Sequence, residues 1–134
     1  MVKQKILLFG NGSNGDHLIG KVLSQSYNVL FATDGKDILK KARKAYPDLI
    51  LLDSLMPVLD GFEVCYRLKI NPKTVEIPII FLSSCDTRHD KGRAFQLGAL
   101  DYICKPIVPD NIKKTVDSYT KSKQPSLALN RSYR

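Results

Sequence analysis

The order of apolar runs predicts an α/β domain, doubly wound around a five-stranded parallel sheet. Short β-capable runs, KILLF at 5–9, NVLFA at 28–32, the run from Leu49 to Leu52, IPIIFL at 77–82 and LDYIC at 100–104, alternate with segments whose apolar residues recur at helical spacing. The run from Leu49 to Leu52 has no polar alternation, as expected of a strand buried on both faces at the centre of a parallel sheet. Right-handed crossovers between parallel strands then place helices on both faces.

Each element has a local reason. Leu18, Ile19, Val22 and Leu23 give the inner stripe of a first helix over 14–26, and Ile38, Leu39, Ala42 and Ala45 that of a second over 35–46, stopped by Pro47. Gly61 opens a third helix with Phe62, Val64, Cys65, Leu68 and Ile70 at its apolar positions, and NPKT at 71–74 is a turn. Pro78 falls near the start of the fourth strand, where a missing ladder donor is tolerated. A fourth helix, about 86–97, ends at Gly98, and the last starts at Pro109 with Ile112, Val116 and Tyr119 on one face. Asp60 and Asp86 read as helix caps. The expected strand order is 2-1-3-4-5.

A chain of 134 residues with 43% hydrophobic content is one domain with an ordinary core. Residues 1–122 hold the domain; KQPSLALNRSYR at 123–134 lacks periodicity and reads as a flexible tail or truncated linker. No apolar run approaches the roughly 18 residues a membrane span needs, and no signal-peptide pattern opens the chain, so a cytoplasmic location is expected. The net charge of +8 is spread over 40–44, 88–93 and 113–123, a pattern of solvated helix faces that argues against nucleic-acid binding. Cys65, Cys85 and Cys104 lack metal-ligand spacing and read as buried small hydrophobes in a reducing compartment.

The stretch DLILLDSLMPVLDG at 48–61 delivers Asp53 to the carboxyl end of the central strand, where ligands of such sheets bind. With IPIIFLSS at 77–84 and GALDYICKPI at 98–107, it resembles the receiver domain of bacterial two-component response regulators over roughly residues 3–122. The resemblance implies a flavodoxin-like (βα)5 sandwich and phosphorelay signalling. By it Asp53 is the phospho-acceptor, Ser83 the hydroxyl after the fourth strand, Lys105 the lysine before a proline, and Tyr102 the aromatic switch moving with Ser83. A nucleophilic carboxylate, a lysine and a hydroxyl suit phosphoryl transfer, which depends on positioning and charge neutralisation. The implied donor is a histidine kinase or phosphotransfer protein, and the implied readout is the surface of the fourth helix, fifth strand and fifth helix. That surface would meet a downstream protein, an output domain outside this chain, or a second copy. The implied chemistry is at most self-phosphorylation from a phosphodonor and slow autodephosphorylation, not an enzyme activity.

The resemblance also implies Mg²⁺ held by Asp53, the side chain at Asn11 and the backbone carbonyl of Leu55, but receivers usually place two acids where this chain has Gly10 and Asn11. At an effective dielectric near 20 and about 4 Å, each lost carboxylate removes roughly 8 kcal/mol of gross attraction for a divalent ion. A remainder of roughly 3 kcal/mol after desolvation weakens the metal about a hundredfold. Mg²⁺ is therefore expected to be weak or absent, which opens an alternative: a phosphorylation-independent pseudo-receiver acting as a protein-interaction module. GNGSNG at 10–15 is also a literal G-x-G-x-x-G between strand and helix, with Asp34 where a ribose-binding acid would lie, so a nucleotide-binding domain is a further alternative. It gives no reason for Asp53, Ser83 and Lys105 to occur together. The Lys105–Pro106 bond is a candidate for the cis form, and His17 and His89 have no partner motif.

Overall fold

A computed structural model of the chain describes residues 3–10, 14–54, 56, 58–83 and 88–121, with backbone alone at 14–17, 88, 89 and 121. Strands and helices alternate: β1 (Lys5–Phe9), α1 (Asn14–Leu23), β2 (Asn28–Ala32), α2 (Gly35–Ala45), β3 (Leu49–Leu52), α3 (Gly61–Ile70), β4 (Ile79–Ser83), α4 (Arg88–Gln96), β5 (Asp101–Cys104) and α5 (Pro109–Lys121). All pairings are parallel and the sheet order is β2-β1-β3-β4-β5, as the sequence predicts.

Every residue of β3 and β4 is buried, so side-chain alternation divides the core into two layers rather than into a wet and a dry face. Leu7, Ile50, Leu52, Ile79, Phe81 and Tyr102 meet Ile38 and Ala42 of α2 and Phe62, Val64 and Leu68 of α3. Ile6, Leu8, Leu49, Leu51, Ile80 and Leu82 meet Ile19 and Leu23 of α1 and Ile112 and Val116 of α5. The helix ends are set locally. The Asp34 side chain accepts from the Asp37 amide at 2.8 Å to cap α2, and Asp60 accepts from the Glu63 amide at 2.9 Å to cap α3. Tyr46 closes α2 at φ 50°, just before Pro47.

Some boundaries and faces differ from expectation. α1 stops at Leu23, and Leu18 is 55% exposed; likewise Ile70, at the last turn of α3, is 61% exposed. Leu18 lines an open cleft between α1 and the start of α5, and Ile70 is the last residue of α3, followed by the turn at 71–74. β4 starts at Ile79 instead of 77, because Pro78 has no amide for the ladder, although its carbonyl still accepts from the Ile50 amide at 2.9 Å. The expected caps and histidine side chains at Asp86, His17 and His89, and the tail at 123–134, lie outside what is described. Among the described residues no helix is long and apolar enough to cross a membrane.

The cysteines do not share one environment, contrary to the expectation of three buried small hydrophobes. Cys65 is fully buried and free, and burial pushes its thiol up to about 11, which leaves it inert at neutral pH. Cys104 instead is exposed at the end of β5 and disulfide-bonded. Cys85 lies outside the described residues.

The two outer helices of one layer are joined through Tyr27, just before β2. Its ring is buried, and its hydroxyl contacts the Asp117 carboxylate and, at 2.9 Å, the Thr120 hydroxyl of α5. Burial, reinforced by Asp117, pushes the phenol up to about 12. The folded protein keeps this proton where the unfolded chain releases it, so the stability it adds is present below pH 10 and is lost as pH rises towards 12. Tyr27→Phe is expected to flatten that alkaline limb, as chemical denaturation at a series of pH values would show.

Candidate functional site

The site forms where three neighbouring strands run out. β3 ends at Leu52 and delivers Asp53; β4 ends at Ser83; β5 ends at Cys104 and delivers Lys105. The register aligns the last two, since Ser83 pairs with Cys104 and the Lys105 amide donates to the Ser83 carbonyl at 2.7 Å. The Lys105–Pro106 bond is cis, and the Lys105 ammonium forms an ion pair with the Asp53 carboxylate. Asp53 keeps only 18% of its side chain exposed and Lys105 keeps 44%, so the pair lies at a wall rather than in open solvent. Beside it is a cleft of about 450 Å³, walled by Phe9, Leu18, Ile19, Leu82 and Ile107.

The loop after Asp53 is held against the strand end by Gly61. Its amide donates to the Ser54 carbonyl at 3.0 Å, and a Cβ at this position would lie 2.1 Å from the Asp53 carbonyl oxygen. Only glycine allows the start of α3 to close on the Asp53–Ser54 peptide. Within the loop, Val58 has φ 73°, an uncommon conformation for a β-branched residue, and it is 64% exposed.

Ser83 and Tyr102 lie on the α3 side. The Ser83 hydroxyl is 2.5 Å from that of Ser54, a partner the motif reading missed because strand periodicity marks Ser54 only as a residue beyond the strand. Tyr102 is already buried, its ring stacked on Phe81 at 5.9 Å. Phe81 in turn stacks on Phe62 at 5.3 Å, and the Arg93 guanidinium of α4 covers the Phe62 ring at 4.4 Å. The Tyr102 hydroxyl has no hydrogen-bond partner among the described residues. These contacts link Tyr102 of β5 with α3 and α4.

Of the expected metal donors, Asp53 is engaged by Lys105, while Asn11 and Leu55 lie outside the described residues. Among the described residues no group of three or more His, Cys, Asp or Glu side chains could hold a metal ion. Asp53 supplies an oxygen donor of the kind a magnesium ion takes, and it is the one expected donor among the described residues. Gly10 is more than a missing acid. Its φ of 148° is one that side-chain-bearing residues rarely adopt, and its amide donates to the Ala32 carbonyl at 2.8 Å. Asp34, the acid of the nucleotide-binding alternative, is used as the α2 cap.

A parallel (βα)5 sandwich with an aspartate, a hydroxyl and a lysine at successive strand ends defines a receiver domain. The chain belongs to the response regulator receiver domain family, whose model matches residues 16–117. It is similar to the response regulator PleD of Caulobacter vibrioides, 39% identical over 106 residues that make up 79% of this chain and 23% of that protein. Among solved structures it is similar to a putative response regulator from Chloroflexus aurantiacus, with TM-score 0.82, 28% identity, and coverage of 89% of this chain and 98% of that one. It is also similar to the receiver domain of the sensor histidine kinase PA1611 from Pseudomonas aeruginosa, with TM-score 0.81, 27% identity, and coverage of 90% and 100%. The chain spans from about a quarter to about half the length of the curated relatives it matches. Family membership replaces the nucleotide-binding alternative.

Because Gly61 seats the loop on the Asp53 carbonyl, Gly61→Ala forces that contact apart. It is expected to cost about 1–3 kcal/mol of stability, as other overpacked sites do, and thermal denaturation measures it.

Proposed function

We propose that this receiver accepts a phosphoryl group on Asp53 in a phosphorelay. The observation behind this reading is the Lys105–Asp53 ion pair, with Ser83 tied to Lys105 through the backbone. An Asp53 carboxylate oxygen attacks the phosphorus of a phosphohistidine; the phosphorus–nitrogen bond breaks and the imidazole leaves, taking up a proton. Lys105 neutralises charge on the transferring oxygens and Ser83 donates to one of them. Tyr102, Phe81, Phe62 and Arg93 then pass the change to α4, biasing a two-state surface made by α4, β5 and α5. Phe95 and Leu100, exposed on that side, favour a protein as the reader, whether a downstream partner, an output domain outside this chain or a second copy. Water slowly hydrolyses the acyl phosphate, so the domain is a signalling element rather than an enzyme. A histidine kinase or phosphotransfer protein as donor places the domain in the cytoplasm, where thiol pools would reduce the Cys104 disulfide.

The PA1611 receiver is described with a magnesium ion coordinated in its active-site cleft. Such an ion supplies charge neutralisation during transfer. In this chain Asp53, Asn11 and the Leu55 carbonyl are the donors that would hold it, weakly for want of the first-strand acids.

Incubation with acetyl phosphate or beryllofluoride and Mg²⁺, followed by intact mass and amide spectra, is expected to give an adduct that Asp53→Ala abolishes. Absence of any response at high Mg²⁺ would instead assign the domain to phosphorylation-independent binding through its standing surface. Asn11→Asp restores one acid without touching the glycine backbone at position 10, and it is expected to tighten Mg²⁺ by about tenfold or more. Titration showing no gain would mean that missing charge is not what limits the metal.

A further inference from the structure

Ser54 has no role in the reading above, yet its surroundings are specific. Its hydroxyl and that of Ser83 are 2.5 Å apart, and the two residues are only 7% and 3% exposed. Among the described residues the Ser54 hydroxyl has no other partner. The two serines lie two residues beyond the Leu52–Phe81 register pair and continue its side of the sheet, the α2 and α3 layer. Asp53 has the opposite parity, that of Leu51 and Leu82, which belong to the α1 and α5 layer. While bonded to Ser54, the Ser83 hydroxyl is thus turned to the layer that Asp53 does not share.

Building on the aspartyl-phosphate reading, we propose that Ser54 is a positioning residue: it holds Ser83 in the resting domain and so sets how readily Ser83 engages a phosphoryl group on Asp53. In the resting state one hydroxyl donates to the other, so each has a hydrogen-bond partner. To donate to a phosphoryl oxygen, Ser83 turns about its Cα–Cβ bond and leaves Ser54 buried without a partner, which opposes engagement. Alanine at position 54 removes that opposition. It also deprives resting Ser83 of its partner, and both changes favour the engaged state. Ser54 therefore acts as a brake on the switch, built from a residue that never touches the phosphoryl group.

The test measures beryllofluoride affinity in Mg²⁺ for the full chain, together with the Ser83 amide resonance with and without ligand. Ser54→Ala is expected to tighten beryllofluoride by about three- to tenfold, the range set by one hydrogen bond. It should also shift the ligand-free Ser83 resonance towards its liganded position. Ser54→Thr, which keeps the hydroxyl, is expected to behave as the natural chain, and Ser54→Cys, close in size with a weaker donor, should fall between. In a Ser83→Ala background, Ser54→Ala should change nothing. Unchanged or weaker binding in both Ser54→Ala and Ser54→Cys overturns the proposal, as does an effect that persists without the Ser83 hydroxyl. If the natural chain takes up no beryllofluoride at all, the phosphoryl reading fails and this proposal with it; uptake by the natural chain with no difference among the variants removes this proposal alone.

Discussion

Burial of the sheet on both faces is the constraint from which the other features follow. β3 and β4 expose no residue, so a polar side chain on either strand is buried and needs a partner, which Ser83 finds only at the last position of β4. Polar chemistry is confined to the points where the strands stop. Parallel pairing makes those points coincide, since β3, β4 and β5 run in the same direction and end side by side. Asp53, Ser83 and Lys105, far apart in sequence, come together at one edge for that reason.

The same alternation that builds the two core layers divides the work at that edge. The parity of Leu51 and Leu82 leads to Asp53, beside the cleft walled by Phe9, Ile19 and Ile107. The parity of Leu52 and Phe81 leads to Ser54 and Ser83 and, through Phe81, to Tyr102 and Phe62. Asp53 and the stacked rings of Phe81, Tyr102 and Phe62 are thus on different sides of the sheet, with Ser83 at the strand end between them. A hydroxyl on a short side chain can change partner by a single bond rotation, whereas the stacked rings beside it move only if their neighbours repack. Family membership establishes the frame in which these residues act, and the loop chemistry of this chain gives it an individual character: glycine at φ 148° where an acid is usual, and valine at φ 73° between Asp53 and Gly61.

The sequence by itself determined the architecture. Strands 5–9, 28–32 and 49–52 and the final helix from Pro109 are where periodicity puts them, and Asp60 caps α3 as expected, because apolar runs and caps act locally. Asp34, which the sequence marks only as a candidate ribose-binding acid, is the α2 cap. It also identified Asp53, Ser83 and Lys105 as a set, through motifs whose spacing is fixed by the fold. Tertiary structure alone decided what depends on contacts between distant residues. The exposure of Leu18 at the cleft and of Ile70 at the end of α3 depends on what packs over each helix, and the bonded state of Cys104 on proximity that spacing does not encode. The backbone at Gly10, the closure of Gly61 on the Asp53 carbonyl, and the Ser54–Ser83 bond depend on register between elements. A linear pattern records which face a residue presents, but not what another strand brings to meet it.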